Sequence, residues 1–238
     1  MNSPAAKPDL LLLPGMMCDL RLWADVADAL DRQAALHYGD LSQDASIDAM
    51  AARVLDSAPR RFHLCGFSMG GYVARKIVAM APDRVQSLIL MNTSSVGSTP
   101  EDMSRRRDMA RLVAERPFNS LTKANLRKSV HPERAGDAAL LDRIQAMALD
   151  LGKDAFMRQL TLERADGGPT LGTIACPTLV ITCEDDLLRT VAESRTLAEG
   201  IAGARLEIVT DCGHMTPLER PAELSALLSD WIQTCPTH

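Results

Sequence analysis

Hydrophobic and polar positions along the chain form two alternating patterns. Short continuous apolar runs, bounded by glycine, proline or charged residues, predict strands that are buried on both faces of a sheet. Between these runs, apolar residues that recur every three or four positions predict amphipathic helices. Strands are predicted at residues 9–13, 34–38, 61–65, 85–91, 177–182 and 204–209, and helices at 22–30, 47–55, 69–80, 190–201 and from 221 onward.

This alternation predicts an α/β fold with a mostly parallel sheet of about six strands and helices on both faces, because parallel strands are joined by crossover helices. The pattern breaks between residues 99 and 173, where only polar, charged and helical segments occur. We therefore expect residues 1–98 and 174–238 to form the core, and 99–173 to form an inserted helical cap. Cap helices are predicted at 101–115, 120–128, 135–151 and 153–163.

A G-x-S-x-G pattern, Gly66 to Gly70, lies where a predicted strand meets a predicted helix. A serine at such a sharp turn holds a strained backbone, and flanking glycines lack the Cβ atoms that would collide with neighbouring elements. The Ser68 hydroxyl would then stand clear of the sheet edge, with the Met69 N–H directed at a developing oxyanion. The alternative is an exposed turn serine or a helix N-cap, and the strand–turn–helix context weighs against it.

The serine needs a base, because a hydroxyl is a weak nucleophile at neutral pH. His214 is the best-placed histidine, since it follows the strand at 204–209 and would lie at the carboxyl edge of the sheet, where ligands bind in open α/β folds. The other histidines fit less well. We expect His37 and His63 to be packed in strands, His131 to be solvated in the cap, and His238 to lie at the terminus.

A carboxylate must orient the imidazole of that histidine. Glu184, Asp185 and Asp186 follow the strand at 177–182 and would reach the same sheet edge. The other segment at that edge, residues 92–95, offers no carboxylate. The residues themselves leave the choice among the three open, and the remaining two would form a solvated acidic turn.

Composition excludes several classes of function. A net charge of −5 and an aromatic fraction of 3% argue against nucleic-acid binding. The six cysteines are scattered without a C-x-x-C pair, so we expect buried thiols rather than a disulfide framework or a zinc site. No apolar run suits a membrane span or a signal peptide, which predicts a cytoplasmic protein without a membrane partner. We expect neither a metal nor an organic cofactor.

These motifs together resemble the α/β-hydrolase-fold superfamily, esterase-like serine hydrolases with a helical cap, over nearly the whole chain. The order Ser, Asp, His matches that fold. Residues 177–186 are similar to the family segment P-T-L-V-I-x-G-x-x-D, whose last residue is the triad acid, and this similarity implies Asp186. Residues 213–221 are similar to the segment G-H-x-x-x-x-E-x-P, which contains the triad histidine. Residues 11–16 occupy the place of the family's loop after the first strand, which implies the Met16 N–H as a second oxyanion donor beside Met69.

Some positions depart from the family pattern. Pro14 replaces a usual histidine and Cys183 a usual glycine, while the G-H-G-x-S turn after the second strand and the first strand hairpin are missing. These departures weaken assignment to a subfamily and leave the predicted triad of Ser68, Asp186 and His214 unchanged.

The resemblance implies hydrolysis of a small or medium-sized carboxylic ester, including lactones and thioesters, through an acyl-enzyme. Two alternatives remain: a C–C bond hydrolase of β-diketone-like compounds, and a ligand-sensing protein with little turnover. The run Arg105 to Arg107 could meet a substrate carboxylate, but a solvated cap face is the favoured interpretation. Seven methionines could line an adaptable apolar pocket, although core packing is the stronger interpretation: Met16, Met17, Met69, Met103, Met109, Met147 and Met157.

Overall fold

Six parallel strands form a single sheet in the computed structural model, which describes residues 7–115, 118 and 123–235. The order across the sheet is β2-β1-β3-β4-β5-β6, and every neighbouring pair is parallel. This order confirms the predicted α/β fold and its parallel sheet. The strands are β1 (Asp9–Leu13), β2 (Ala35–Tyr38), β3 (Phe62–Phe67), β4 (Val85–Met91), β5 (Thr178–Cys183) and β6 (Arg205–Val209).

Helices cover both faces of this sheet. Alternate residues of a strand point to opposite faces, so Leu10 and Leu12 of β1 join one hydrophobic cluster while Leu11 and Leu13 join another. The α-helices are α1 (Ala24–Asp31), α2 (Ile47–Ser57), α3 (Met69–Met80), α4 (Pro100–Ala114), α5 (Lys123–Leu126), α6 (Ala138–Leu160), α7 (Val191–Gly200), α8 (Thr216–Glu219) and α9 (Pro221–Thr234). The first cluster includes side chains of α1, α6 and α9, and the second includes side chains of α2, α3 and α7. Short 3₁₀ helices occur at Leu20–Trp23, Pro82–Arg84, Arg127–Ser129, Pro132–Arg134 and Gly168–Thr173.

Between β4 and β5 the described residues contain helices and loops, without a strand. Helix α4 begins with a capping box, in which Thr99 Oγ1 accepts from Asp102 N and the Asp102 carboxylate accepts from Thr99 N. Two of the predicted helices merge into α6, which Gly152 interrupts with φ of 79° and ψ of 179°. Part of the helix predicted at 120–128 lies outside the described residues. The bounds of the cap, residues 99 and 173, stay a prediction.

Core packing predicts a clear stability difference between two substitutions. Ile89 of β4 is fully buried, so Ile89→Ala should lower the free energy of unfolding by about 2–5 kcal/mol through lost burial and a residual cavity. The control Leu112→Ala removes a side chain on α4 that is 54% exposed, and it should change stability by less than about 0.5 kcal/mol. Urea unfolding followed by circular dichroism measures both, and equal effects would contradict this assignment of the core.

Candidate active site

Ser68 lies at the turn from β3 into α3 with φ of 52° and ψ of −112°, a conformation that L-residues rarely adopt. The flanking glycines make this turn possible. A Cβ on Gly66 would lie 2.5 Å from the carbonyl oxygen of Gly70, and a Cβ on Gly70 would lie 2.6 Å from that of Leu13. Only hydrogen fits at both positions, as the sequence pattern predicts.

The structure brings the three predicted side chains together at the carboxyl edge of the sheet. His214 Nε2 lies 2.9 Å from Ser68 Oγ, and His214 Nδ1 lies 2.7 Å from Asp186 Oδ2. Ser68 follows β3, Asp186 follows β5 and His214 follows β6. The Phe67 ring packs against the imidazole at a centroid distance of 5.0 Å. The arrangement lets a hydroxyl proton pass to an imidazole that a carboxylate orients.

Asp186 is almost completely buried, and hydrogen bonds keep it charged. Its Oδ1 accepts from the backbone N–H groups of Leu188 at 2.7 Å and Arg189 at 2.9 Å, and its Oδ2 accepts from Asn92 Nδ2 at 2.9 Å. Burial alone would raise the pKa of this carboxyl, but the contacts with His214, Asn92 and the backbone outweigh it and hold the pKa below its ordinary value. Asn92 was not predicted as a site residue, because only carboxylates were considered at residues 92–95.

The other titratable candidates have different environments. Glu184 is exposed, whereas Asp185 Oδ2 lies 3.3 Å from His131 Nε2. The His131 side chain is only 13% exposed, so the expectation of a solvated histidine is wrong, because the loop before His214 packs directly beneath it.

The remaining described histidines have partners other than Ser68. His63 is buried with Nδ1 at 2.8 Å from Ser87 Oγ, and burial lowers its pKa. His37 Nε2 lies 2.7 Å from Asp9 Oδ1, while His238 lies outside the described residues.

The loop that carries His214 is fixed by Glu219, a residue of the predicted G-H-x-x-x-x-E-x-P segment. Its Oε1 accepts from Met215 N at 3.1 Å and its Oε2 accepts from His131 N at 2.7 Å. A Cβ on Gly213 would lie 2.3 Å from His131 N, so the two backbones are in direct contact there. Glu219 therefore joins the histidine loop to the helical segment between β4 and β5.

The loop after β1 lies against the serine turn. A Cβ on Gly15 would lie 3.3 Å from Ser68 Cβ. Within the described part of the chain, the backbone N–H groups of Met16 and Met69 have no hydrogen-bond acceptor. Both donors are thus free to receive a ligand oxygen, and Met69 begins α3 immediately after Ser68.

Gln159 of α6 holds this loop in place. It is 1% exposed, its Oε1 accepts from Met17 N at 2.7 Å, and its Nε2 donates to Leu41 O at 2.9 Å. Met17 has φ of 56°, so the contact stabilises a conformation that a non-glycine residue rarely adopts. No local sequence signal distinguishes Gln159, because its role depends on loops more than one hundred positions away.

The seven methionines do not form one pocket. Met17, Met69 and Met147 are buried in hydrophobic clusters, whereas Met109 is 51% exposed on α4. Of the arginines at 105–107, Arg105 and Arg107 are exposed and Arg106 is half-buried. The prediction that these arginines form a solvated surface of the cap is therefore correct for Arg105 and Arg107 but not for Arg106.

No group of three or more His, Cys, Asp or Glu side chains in the described ranges is arranged to hold a metal ion. Likewise, none of the helices formed by these residues is both long and apolar enough to cross a membrane.

Comparison with known proteins identifies the family. The sequence model of the Alpha/beta hydrolase family matches residues 10–227. The chain belongs to this family. Alignment with a pimeloyl-[acyl-carrier protein] methyl ester esterase of Nitrosomonas europaea gives 27% identity over 91% of this chain and 92% of that protein. A relative in Pseudomonas savastanoi pv. phaseolicola, named as a carbamate hydrolase, is 31% identical over 96% of this chain and 95% of its own length.

A solved structure shares the α/β-hydrolase fold. A thermophilic esterase from Thermogutta terrifontis with malate bound superposes with a TM-score of 0.87, at 23% identity, over 98% of this chain and 92% of that one. The fold and family predicted from the motifs are thus confirmed. The protein is a hydrolase of the α/β-hydrolase type, and its relatives support ester hydrolysis as the general class of reaction.

The hydrogen bonds to Asp186 predict a specific pH dependence of stability. Because the pKa of Asp186 is lowered in the folded protein, its charged form stabilises the fold above the unfolded pKa of about 3.9, and the contribution is lost as the pH falls through the folded pKa. Asp186→Asn should therefore lose less unfolding free energy than the wild type between neutral and acidic pH. Urea titrations at several pH values measure this, with the exposed Glu184→Gln as the control expected to follow the wild type. Parallel curves for Asp186→Asn and wild type would contradict the prediction.

Proposed function

We propose that the protein is a serine hydrolase that cleaves a small or medium-sized carboxylic ester through an acyl-enzyme. The observation that carries the proposal is the continuous chain of contacts from Ser68 Oγ through His214 to Asp186, at 2.9 Å and 2.7 Å. Both distances fall within hydrogen-bonding range, so proton transfer needs no large movement of the side chains.

In the proposed reaction, Ser68 Oγ attacks the ester carbonyl while His214 Nε2 takes its proton. Asp186 keeps the second imidazole proton on Nδ1 and stabilises the imidazolium. The oxyanion of the tetrahedral intermediate accepts hydrogen bonds from the Met16 and Met69 N–H groups. His214 then returns the proton to the leaving alcohol. Water attacks the acyl group in the second half-reaction, with His214 again as the base, and Ser68 is released.

Two further features support an ester substrate. The relative from Nitrosomonas europaea is named for cleavage of a methyl ester, and this chain covers 92% of its length. We also propose residues 99–173 as a cap that shapes the substrate site, since Gln159 and His131 from this segment contact the loops carrying Met17 and Met215. Substrate choice would then depend on the cap.

Ser68→Ala tests the nucleophile. The variant should lose about 10⁶-fold in kcat on a p-nitrophenyl short-chain ester, because the acyl acceptor is removed. Ser104→Ala, which changes an exposed serine on α4, should retain wild-type activity. Mass spectrometry of rapidly quenched wild-type protein should locate the acyl group, or a fluorophosphonate label, on Ser68. Label on another residue would reject the proposed nucleophile.

Gln159→Leu tests the support of the Met16 donor. Loss of the Gln159–Met17 hydrogen bond should displace the loop after β1 and lower kcat by about ten- to a hundredfold with little change in KM, because the donor acts mainly in the transition state. Arg158→Ala is the matched control, since Arg158 Nε donates to Ser42 O in the loop that Gln159 also contacts but does not touch Met17. An equal loss of kcat in both variants would show that the effect comes from the loop containing Leu41 and Ser42, and it would contradict a role for the Gln159–Met17 hydrogen bond.

A further inference from the structure

Two guanidinium groups lie over the ring of Tyr72. Arg75 Cζ lies 4.9 Å and Arg164 Cζ 5.5 Å from its centroid. Tyr72 is itself buried, and its hydroxyl donates to Val96 O at 2.9 Å. Neither arginine has a carboxylate within salt-bridge distance among the described residues. Positive charge therefore accumulates around an aromatic side chain, and the Asp166 carboxylate, which lies beyond salt-bridge distance, acts on Arg75.

Arg164 is the exceptional member of this pair. It is only 8% exposed, and its side chain has no hydrogen-bond acceptor within the described ranges. Its Nε is fully enclosed and unpaired, while its terminal nitrogens still reach solvent-accessible space. A buried charge without a partner is costly, and buried arginines are therefore normally paired with carboxylates or carbonyl oxygens. None of the described residues supplies that partner, so the terminal nitrogens of Arg164 are open to an anionic ligand.

Two more arginines add to the local positive charge. Arg106 Nη1 donates to Leu162 O at 3.3 Å, two residues before Arg164. Arg189 follows Asp186, and its Nη1 lies 3.7 Å from Glu193 Oε1, so part of its charge is offset. Burial, together with the charges of Arg106 and Arg189, lowers the pKa of Arg164 to about 10. The guanidinium is thus still charged at neutral pH, in surroundings that favour a bound anion.

Two observations place Arg164 at the same edge of the sheet as the turn that carries Ser68. Tyr72 lies one helical turn beyond Ser68, about 5.4 Å along α3. The backbone of Arg164 pairs with Ser98, since Ser98 N donates to Arg164 O at 2.7 Å. Residue 98 belongs to the loop after β4, and β4 is the neighbour of β3 on the side opposite to β1. The backbone of Arg164 therefore lies on the β4 side of the serine turn, while Met16 lies on the β1 side.

We propose that Arg164, supported by Arg106 and Arg189, binds a carboxylate of the substrate next to Ser68. The preferred substrates would then be monoesters of dicarboxylic acids rather than neutral esters. A guanidinium presents parallel donors that match both oxygens of a carboxylate, and its planar face stacks on an aromatic ring such as Tyr72. This inference rests on the proposed function, because it assigns the substrate of the same site.

Paired substrates test the inference. Monomethyl adipate and methyl hexanoate present similar chains to the enzyme, but only the first carries a carboxylate. Acid release followed in a pH-stat should give wild-type kcat/KM values about ten- to a hundredfold higher for monomethyl adipate, the range expected for hydrogen bonds to a charged group. Equal values for the two esters would overturn the inference.

Variants identify the responsible side chain. Arg164→Met should remove the preference for monomethyl adipate and leave methyl hexanoate hydrolysis unchanged, and Arg164→Lys should restore part of the preference because it keeps the charge. Arg105→Met removes a charge from a side chain that is 76% exposed and should behave as the wild type. A parallel loss with both esters in Arg164→Met would show a structural role and overturn the inference.

A binding measurement covers the case in which Arg164→Met does not fold. Adipate should raise the thermal unfolding midpoint of the wild-type protein, whereas neutral adipamide should not, and a failure of adipate to do so would overturn the inference. The experiments distinguish a failure of the carboxylate subsite from a failure of the proposed serine mechanism. If Ser68→Ala abolishes methyl hexanoate hydrolysis but the wild type shows no preference for the anionic ester, only the carboxylate subsite is rejected; unchanged hydrolysis in Ser68→Ala rejects the serine mechanism itself.

Discussion

The strained backbone of Ser68 is the constraint on which the rest of the site depends. A residue held at φ of 52° and ψ of −112° costs about 1–3 kcal/mol, and surrounding contacts have to offset that cost. Here Ser68 N donates to Met91 O at 2.9 Å, and Ser68 O accepts from Thr93 Oγ1 at 2.7 Å and from Gly71 N at 3.0 Å. The contacts with Met91 and Thr93 require the serine turn to approach β4 and its loop closely, whereas the Gly71 contact lies within the first turn of α3. A Cβ on Gly71 would lie 2.5 Å from Thr93 Oγ1, so this glycine too is fixed by packing.

The helical segment between β4 and β5 contacts both loops that flank the serine. On one side Gln159 accepts from Met17 N, and on the other Ser129 O accepts from Met215 N at 3.1 Å. Glu219 adds a second contact between the histidine loop and this segment through His131 N. A displacement of α6 or of residues 129–131 would therefore move the two loops beside Ser68 through these hydrogen bonds, without any direct contact with the serine.

A buried polar layer lies behind the Asp186 carboxylate and explains an unusual residue. Asn92 donates to Asp186, and its Oδ1 accepts from Thr216 Oγ1 at 2.8 Å. Cys183 stands where the family segment P-T-L-V-I-x-G-x-x-D has glycine. Its Sγ lies 2.9 Å from Thr216 Oγ1, so it packs into the layer. Five of the six cysteines are buried, and burial raises the pKa of the Cys18 thiol to about 12. Such thiols behave as small apolar side chains, as the sequence predicts.

Sequence by itself determined the sheet, its parallel strands, and the serine, the histidine and the acidic segment 184–186 that meet at its edge. Strand patterns and G-x-S-x-G act locally, and the carboxyl ends of parallel strands necessarily share one edge. The choice of Asp186 within 184–186 needed the family resemblance, since the three carboxylates are equivalent in pattern. Only the tertiary structure showed the contacts of Asn92 and Gln159, the enclosure of His131, and the burial of the Arg164 side chain without a hydrogen-bond partner among the described residues. Each of these outcomes depends on which distant loops meet, and periodicity along the chain carries no information about contacts of that kind.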